Sequence, residues 1–258
     1  MIVTDKFVFV HFPRTGGTFI TDLILRFFPS AHEIGYHLPR SLLANEYSHL
    51  PVLGSVRNPW DFYVSWYYHV WPRDAATPLH SWLSENGKHQ FAGATRNALN
   101  IGTDNDRLDA LIEKLPDEVD YSRRNIPNIT KDAVRKIRGT GVGYYTFRFN
   151  HLVGNADEVF FCRQESLRVD LIRFLELIGA ASDDIRAHIF ESKKKNTADH
   201  SHYPSYYTPE LADLVSIRDR AVIERFGYVF EEPPVANKLH EPMNTASKAA
   251  DREREYES

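Results

Sequence analysis

The sequence predicts an α/β domain built around a mostly parallel sheet flanked by helices. Three observations carry that expectation. Apolar, β-branched or aromatic runs occur at residues 6–12, 51–56 and 158–162, helical periodicity follows each of them, and a glycine pair sits at the first strand-to-helix junction. With 258 residues there is room for one large domain or two small ones. We read one domain over residues 1–231 and a tail over 232–258.

Taken in order, residues 6–12 (KFVFVHF) read as a buried strand. They enter Pro13-Arg14-Thr15-Gly16-Gly17-Thr18, after which the apolar residues of Phe19 to Leu25 recur at helical spacing. Pro51 to Val56 is a second apolar strand that runs into Arg57-Asn58-Pro59, and Asp61 with the adjacent proline marks a helix start near Trp60. Residues 73–141 are more polar and mixed, with helical patterns near 105–115 and 130–138. Glu158 to Cys162 reads as a third strand, followed by a helix from about Glu165 to Ile178. Thr208-Pro209-Glu210 supplies a cap, a first-turn proline and an acidic first turn for a last helix reaching Phe226. From Glu232 onward, adjacent prolines and charge-rich sequence predict disorder.

Composition excludes several classes of function. Lys plus Arg is 31 against 35 Asp plus Glu, a formal net charge of −4, which is not the balance of a general nucleic-acid binder. Cys162 is the sole cysteine, so neither an internal disulfide nor a thiolate zinc site can form. No apolar stretch is long enough to span a bilayer and no secretory leader is visible, so a cytoplasmic location is expected.

The first junction carries the chemistry. A glycine turn between a strand and a helix exposes backbone N–H groups, and the helix N-terminus adds partial positive charge, which together cradle a phosphate. Arg14 can fork onto the same anion, and Thr15 and Thr18 add hydroxyl donors. The Walker A lysine is missing, because the cation here precedes the glycines. Taken alone, a tight turn that happens to contain glycines explains this segment equally well. The second segment, Arg57 to Ser65, places a cation at a strand end and a hydroxyl on the following helix, so both can converge on one anion.

Together these segments resemble the sulfotransferases that use 3′-phosphoadenosine 5′-phosphosulfate (PAPS). Arg14-Thr15-Gly16-Gly17-Thr18 is similar to that family's 5′-phosphosulfate loop, with arginine in place of the usual lysine. Arg57-Asn58-Pro59-Trp60-Asp61-Phe62-Tyr63-Val64-Ser65 is similar to its 3′-phosphate segment, and His37-Leu38-Pro39 followed by Leu42-Leu43 to the segment that bears its catalytic histidine. The match is specific over residues 7–70 and weaker over 142–230. The resemblance implies a three-layer, P-loop NTPase-like fold, PAPS as donor with 3′,5′-ADP as product, and no metal. It also implies a hydroxylated small-molecule or glycan acceptor; residues 73–141, which the resemblance does not cover, read as a helical insertion that shapes the acceptor site. Arg14, Thr15, Gly16, Gly17 and Thr18 would hold the 5′-phosphosulfate, Arg57 and Ser65 the 3′-phosphate, and Phe19 would lie against adenine.

A general base must take the acceptor's proton, and an imidazole titrates in the useful range. His37 is the candidate, standing between the two donor segments and ahead of Pro39, which biases the chain toward extended structure there. Glu33 is the fallback base. His11 is read as a residue that packs or orients the turn. Lys193-Lys194-Lys195-Asn196 is the nearest basic stand-in for a C-terminal loop the family carries and this chain lacks. Rival readings are a nucleotide-dependent kinase or NTPase of related fold, and a nucleotide-binding module without turnover.

Overall fold

The computed structural model describes residues 1–70, 77–123, 128–193 and 200–231. It is an α/β arrangement: a five-stranded sheet in the order β3-β1-β2-β4-β5 with helices packed on both faces. The strands are β1 (Ile2–Val3), β2 (Val8–Phe9), β3 (His32–Glu33), β4 (Val52–Val56) and β5 (Val159–Arg163). The helices are α1 (Gly17–Phe27), α2 (Pro59–Val70), α3 (Pro78–Ser84), α4 (Phe91–Leu99), α5 (Asn105–Lys114) and α6 (Lys131–Arg135). They continue with α7 (Tyr144–Val153), α8 (Leu167–Leu177), α9 (Asp183–Glu191), α10 (Pro209–Arg218) and α11 (Arg220–Phe226).

The sheet is mixed, which corrects the expectation of a mostly parallel one. β2–β4 and β4–β5 are parallel, whereas β1 runs antiparallel to both β2 and β3. The reason lies in the connection. A parallel pairing needs a crossover of a dozen or more residues, and only Thr4 to Phe7 separate β1 from β2. Thr4 closes that turn. Its hydroxyl donates to the Phe7 carbonyl and accepts the Phe7 N–H, both at 2.9 Å.

Alternation along the strands feeds two cores. Val3, Val8, Val10, Val52 and Val56 face one cluster, packed with α2, α4, α5, α7, α10 and α11. Ile2, Phe7, Phe9, Leu53 and Cys162 face the other, packed with α1, α8 and α9. Strands buried on both faces read as continuous apolar runs, which is why these segments lacked a polar face in sequence.

Helices over residues 78–84, 91–99, 105–114 and 131–135 occupy the described part of the mixed segment. The expected last helix is two. Asp219 leaves helical geometry (φ −109°, ψ 20°), and its carboxylate accepts the Thr146 N–H at 2.9 Å, capping the N-terminus of α7 from across the fold. Residues 232–258 and Lys194 to Asn196 lie outside the described residues. Within the described residues no helix is long and apolar enough to cross a membrane.

Candidate functional site

The parallel strands β2, β4 and β5 point their carboxyl ends the same way, which is where open α/β sheets place their ligands. Three loops meet there, carrying Arg14 after β2, Arg57 after β4 and Glu165 after β5. Helix α1 starts at this edge. Gly16 caps it in the left-handed region (φ 89°), and the first turn has neither a side-chain cap nor an acidic residue. The helix N-terminus therefore presents its partial positive charge uncountered by a carboxylate of its own. Gly17 is required by crowding, because a Cβ there would lie 2.1 Å from the His11 ring.

The two arginines interlock. Arg14 donates through Nε and NH2 to the Ser65 hydroxyl at 3.2 and 3.0 Å, and Arg57 donates through NH1 to the Arg14 carbonyl at 3.2 Å. The other edge of the Arg57 guanidinium rests on Asp61 Oδ2, with Nε and NH2 both at 2.7 Å. Tyr145 fastens the Arg57 backbone, its hydroxyl donating to the Arg57 carbonyl at 2.9 Å and accepting the Arg57 N–H at 3.1 Å. Asn58 caps α2 by accepting the Trp60 N–H at 3.0 Å.

Arg14 and His37 are both non-glycine residues at positive φ, 62° and 51°. Such conformations typically cost roughly 1–3 kcal/mol and persist where surroundings impose them, often at functional sites. The extended structure expected at His37 is thus absent, and Pro39's restriction acts on Leu38 instead. His37 is only 7% exposed. Its Nδ1 lies 3.0 Å from the His11 carbonyl, and its ring is 4.6 Å from the His11 ring and 4.0 Å from Tyr36. An Nδ1–H donated to that carbonyl leaves Nε2 as a bare lone pair. Burial holds the imidazole well below the usual histidine range, with the neighbouring His11 and Arg148 adding to the effect and the His11 carbonyl opposing it. At neutral pH this ring is an uncharged acceptor of protons.

Other nominated residues are placed differently. Thr15 is fully buried, its hydroxyl donating to the Phe12 carbonyl at 2.8 Å and meeting the Ser55 hydroxyl at 2.6 Å, so it braces the loop against β4. Ser65 is also fully buried, behind the Arg14 side chain. Phe19 belongs to the core under the Arg168 guanidinium, 5.6 Å from its ring centroid. Thr18 keeps partial exposure beside Gly16. Glu33 is exposed on the far edge strand, with β1 between it and β2. His11 packs on Gly17 and stacks on Phe9 at 5.7 Å. Lys131 and Arg135 pair with Asp117 and Asp132 at 3.1 and 2.8 Å, and Arg138 pairs with Asp109, a solvated charged face.

Sequence reasoning missed Glu165 and Asp219. Glu165 Oε1 accepts the Asn58 N–H at 2.7 Å, tying the β5 loop to the Arg57 loop, while Oε2 accepts the Tyr228 hydroxyl at 3.4 Å. The residue keeps part of its surface in solvent, yet desolvation of its carboxyl raises its pKa against the opposing Asn58 bond. Asp219 is fully buried, accepts the Tyr63 hydroxyl at 2.8 Å, and is pushed up to about 6 by burial. Tyr63 in turn accepts the Tyr145 N–H at 3.1 Å, so a buried chain of hydrogen bonds runs from Asp219 to Arg57. Neither carboxylate sits in a recognisable motif, and a lone acid at a helix junction carries no signal in sequence.

The anion-binding potential is therefore local: two guanidinium groups, a glycine-capped helix start and a buried neutral imidazole behind the same loop. Comparison with family models, with curated proteins and with solved structures returned no match.

Proposed function

We propose that the chain is a PAPS-dependent sulfotransferase acting on a hydroxylated acceptor. The observation that carries this reading is the convergence of Arg14 and Arg57, 43 residues apart, at the carboxyl ends of two adjacent parallel strands and beside the start of α1. Two guanidinium groups beside a helix N-terminus suit a ligand with more than one anionic group. The residues fit the donor in part. Arg14, Gly16, Thr18 and Arg57 have surface at the site, whereas Thr15, Ser65 and Phe19 support it from beneath. When bound, PAPS supplies a sulfuryl group attached to a phosphate leaving group.

The chain's own residues do the rest. Backbone N–H groups at Gly16 and Gly17 and the α1 dipole favour negative charge at the loop. Arg14 stabilises the charge that develops on the leaving oxygen, once its fork turns from Ser65. Arg57, held by Asp61 and Tyr145, keeps further N–H donors for the second anion. His37, neutral with its Nδ1 on the His11 carbonyl, accepts the acceptor's hydroxyl proton at Nε2.

The test is thermal. 3′,5′-ADP should raise Tm far more than 5′-AMP, by mass action on the folded state. Arg57→Ala should abolish the difference, since hydrogen bonds to charged groups contribute about 1.5–3 kcal/mol. Equal shifts from both nucleotides, or stabilisation by ATP with magnesium alone, would remove this reading in favour of a kinase or NTPase.

A further inference from the structure

Helix α7 packs against the short turn Arg40–Leu42 that follows His37, and that contact brings Arg148 into the neighbourhood of the candidate base. Arg148 is 5% exposed. Among the described residues no carboxylate pairs with it, and its hydrogen bond is to a neutral partner, NH1 donating to the Asn128 carbonyl at 3.0 Å. Asn128 in turn donates through Nδ2 to the Tyr36 carbonyl, next to His37. One helical turn on from Arg148, His151 shares its face. Its Nε2 is buried without a partner, and burial followed by the Arg148 charge lowers its pKa to about 4. The same guanidinium acts on Tyr121, whose pKa burial raises and Arg148 lowers.

A buried guanidinium without a counter-ion is costly, and an anion bound from outside would offset that cost. Of the charged groups nearby, Arg40 on the packed turn is paired with Glu158, the N-terminal ammonium acts on His37, and Lys136 acts on His151, while His37 and His151 are both held toward their neutral forms. The fork geometry of arginine suits a carboxylate, which it can grip through two parallel N–H bonds. Two bare imidazole nitrogens beside it suit hydroxyl donors.

We propose that Arg148, with His37 and His151, forms a subsite for an acceptor that carries a carboxylate next to its hydroxyl groups. This deepens the transferase reading and rests on it for the identification of His37 as base. The carboxylate would anchor the acceptor on Arg148, and a neighbouring hydroxyl would face the His37 imidazole.

The experiment measures Tm of the full chain with sodium glucuronate and with glucose, at constant ionic strength. The two probes differ in a carboxylate and share their hydroxyls. Glucuronate should raise Tm and glucose should not. Arg148→Met should lose the glucuronate shift, keep the 3′,5′-ADP shift, and melt without ligand at or above the wild-type temperature, because an unpaired buried charge has been removed. A purely structural arginine would instead lower the unliganded Tm. No glucuronate shift in the wild type, equal shifts from the two probes, or a shift retained in Arg148→Met would overturn the proposal. If Arg148→Met does not fold, Arg148→Lys decides: a weaker glucuronate shift supports the subsite, and a folded but indifferent variant overturns it. Loss of the 3′,5′-ADP shift alone, with the glucuronate shift intact, fails the donor reading and leaves the anion subsite standing.

Discussion

Asp219→Asn isolates the buried carboxylate at the far end of the chain of hydrogen bonds leading to Arg57. The carboxyl is fully buried, and burial pushes its pKa from an ordinary 3.8 to about 6 against the bonds from Thr146 and Tyr63. The folded chain therefore holds this proton to higher pH than the unfolded chain does. Between about pH 4 and pH 6 the native state binds more protons, so this group's contribution to stability rises as pH falls. At about 1.4 kcal/mol per pH unit, the ionised carboxylate costs the native state about 3 kcal/mol at neutral pH. Asparagine removes that pH dependence. It adds an offset of its own, because an amide donating to Tyr63 leaves the phenol proton without its acceptor, but that offset does not titrate. His37 and His151, both held below the ordinary histidine value, lose stability on acidification in the wild type and the variant alike, and cancel in the difference. Denaturant unfolding at several pH values from 4 to 7.5 measures it. The stability of Asp219→Asn minus that of the wild type should grow by about 2 kcal/mol from pH 4 to pH 7, because the unfolded carboxyl is already partly ionised at pH 4. A difference flat to within about 1 kcal/mol over that range would refute the reasoning.

Further outcomes are expected at the candidate base, at Gly17 and at Glu165. His37→Ala should leave 3′,5′-ADP binding nearly unchanged and lower kcat by roughly 10²–10⁴-fold. The acid limb of the wild-type profile should lie below the ordinary histidine value, because burial depresses that pKa, and Glu33→Gln on the edge strand should be near normal. Gly17→Ala should destabilise by about 1–3 kcal/mol through collision with the His11 ring, and His11→Ala in the same chain should recover much of the loss in thermal unfolding. Glu165→Ala should weaken 3′,5′-ADP in calorimetry by freeing the Asn58 N–H, whereas Glu165→Gln, which keeps an acceptor oxygen, should bind nearly as the wild type does.

Local sequence by itself determined the strand–turn–helix unit at Arg14 to Thr18 and the strand end at Arg57. A parallel strand buried on both faces is made largely of apolar residues, and a loop crowded against a histidine ring must use glycine, so both requirements are written in consecutive residues. The capped start at Thr208-Pro209-Glu210 was legible for the same reason: the Thr208 hydroxyl accepts the Leu211 N–H three residues on. Tertiary structure alone decided which nominated hydroxyls reach the surface. Thr15 turned inward to Ser55 and Ser65 was covered by Arg14, contacts spanning 40 and 51 residues that no local pattern encodes. It also decided the antiparallel β1, two residues long and too short for a period to show. The break at Asp219, the clamp at Glu165 and the Arg148 guanidinium, with which no carboxylate among the described residues pairs, belong to the same group. Each is a single polar residue whose meaning is its partner, or the want of one, and partners are chosen by the packing of distant segments rather than by neighbours in the chain.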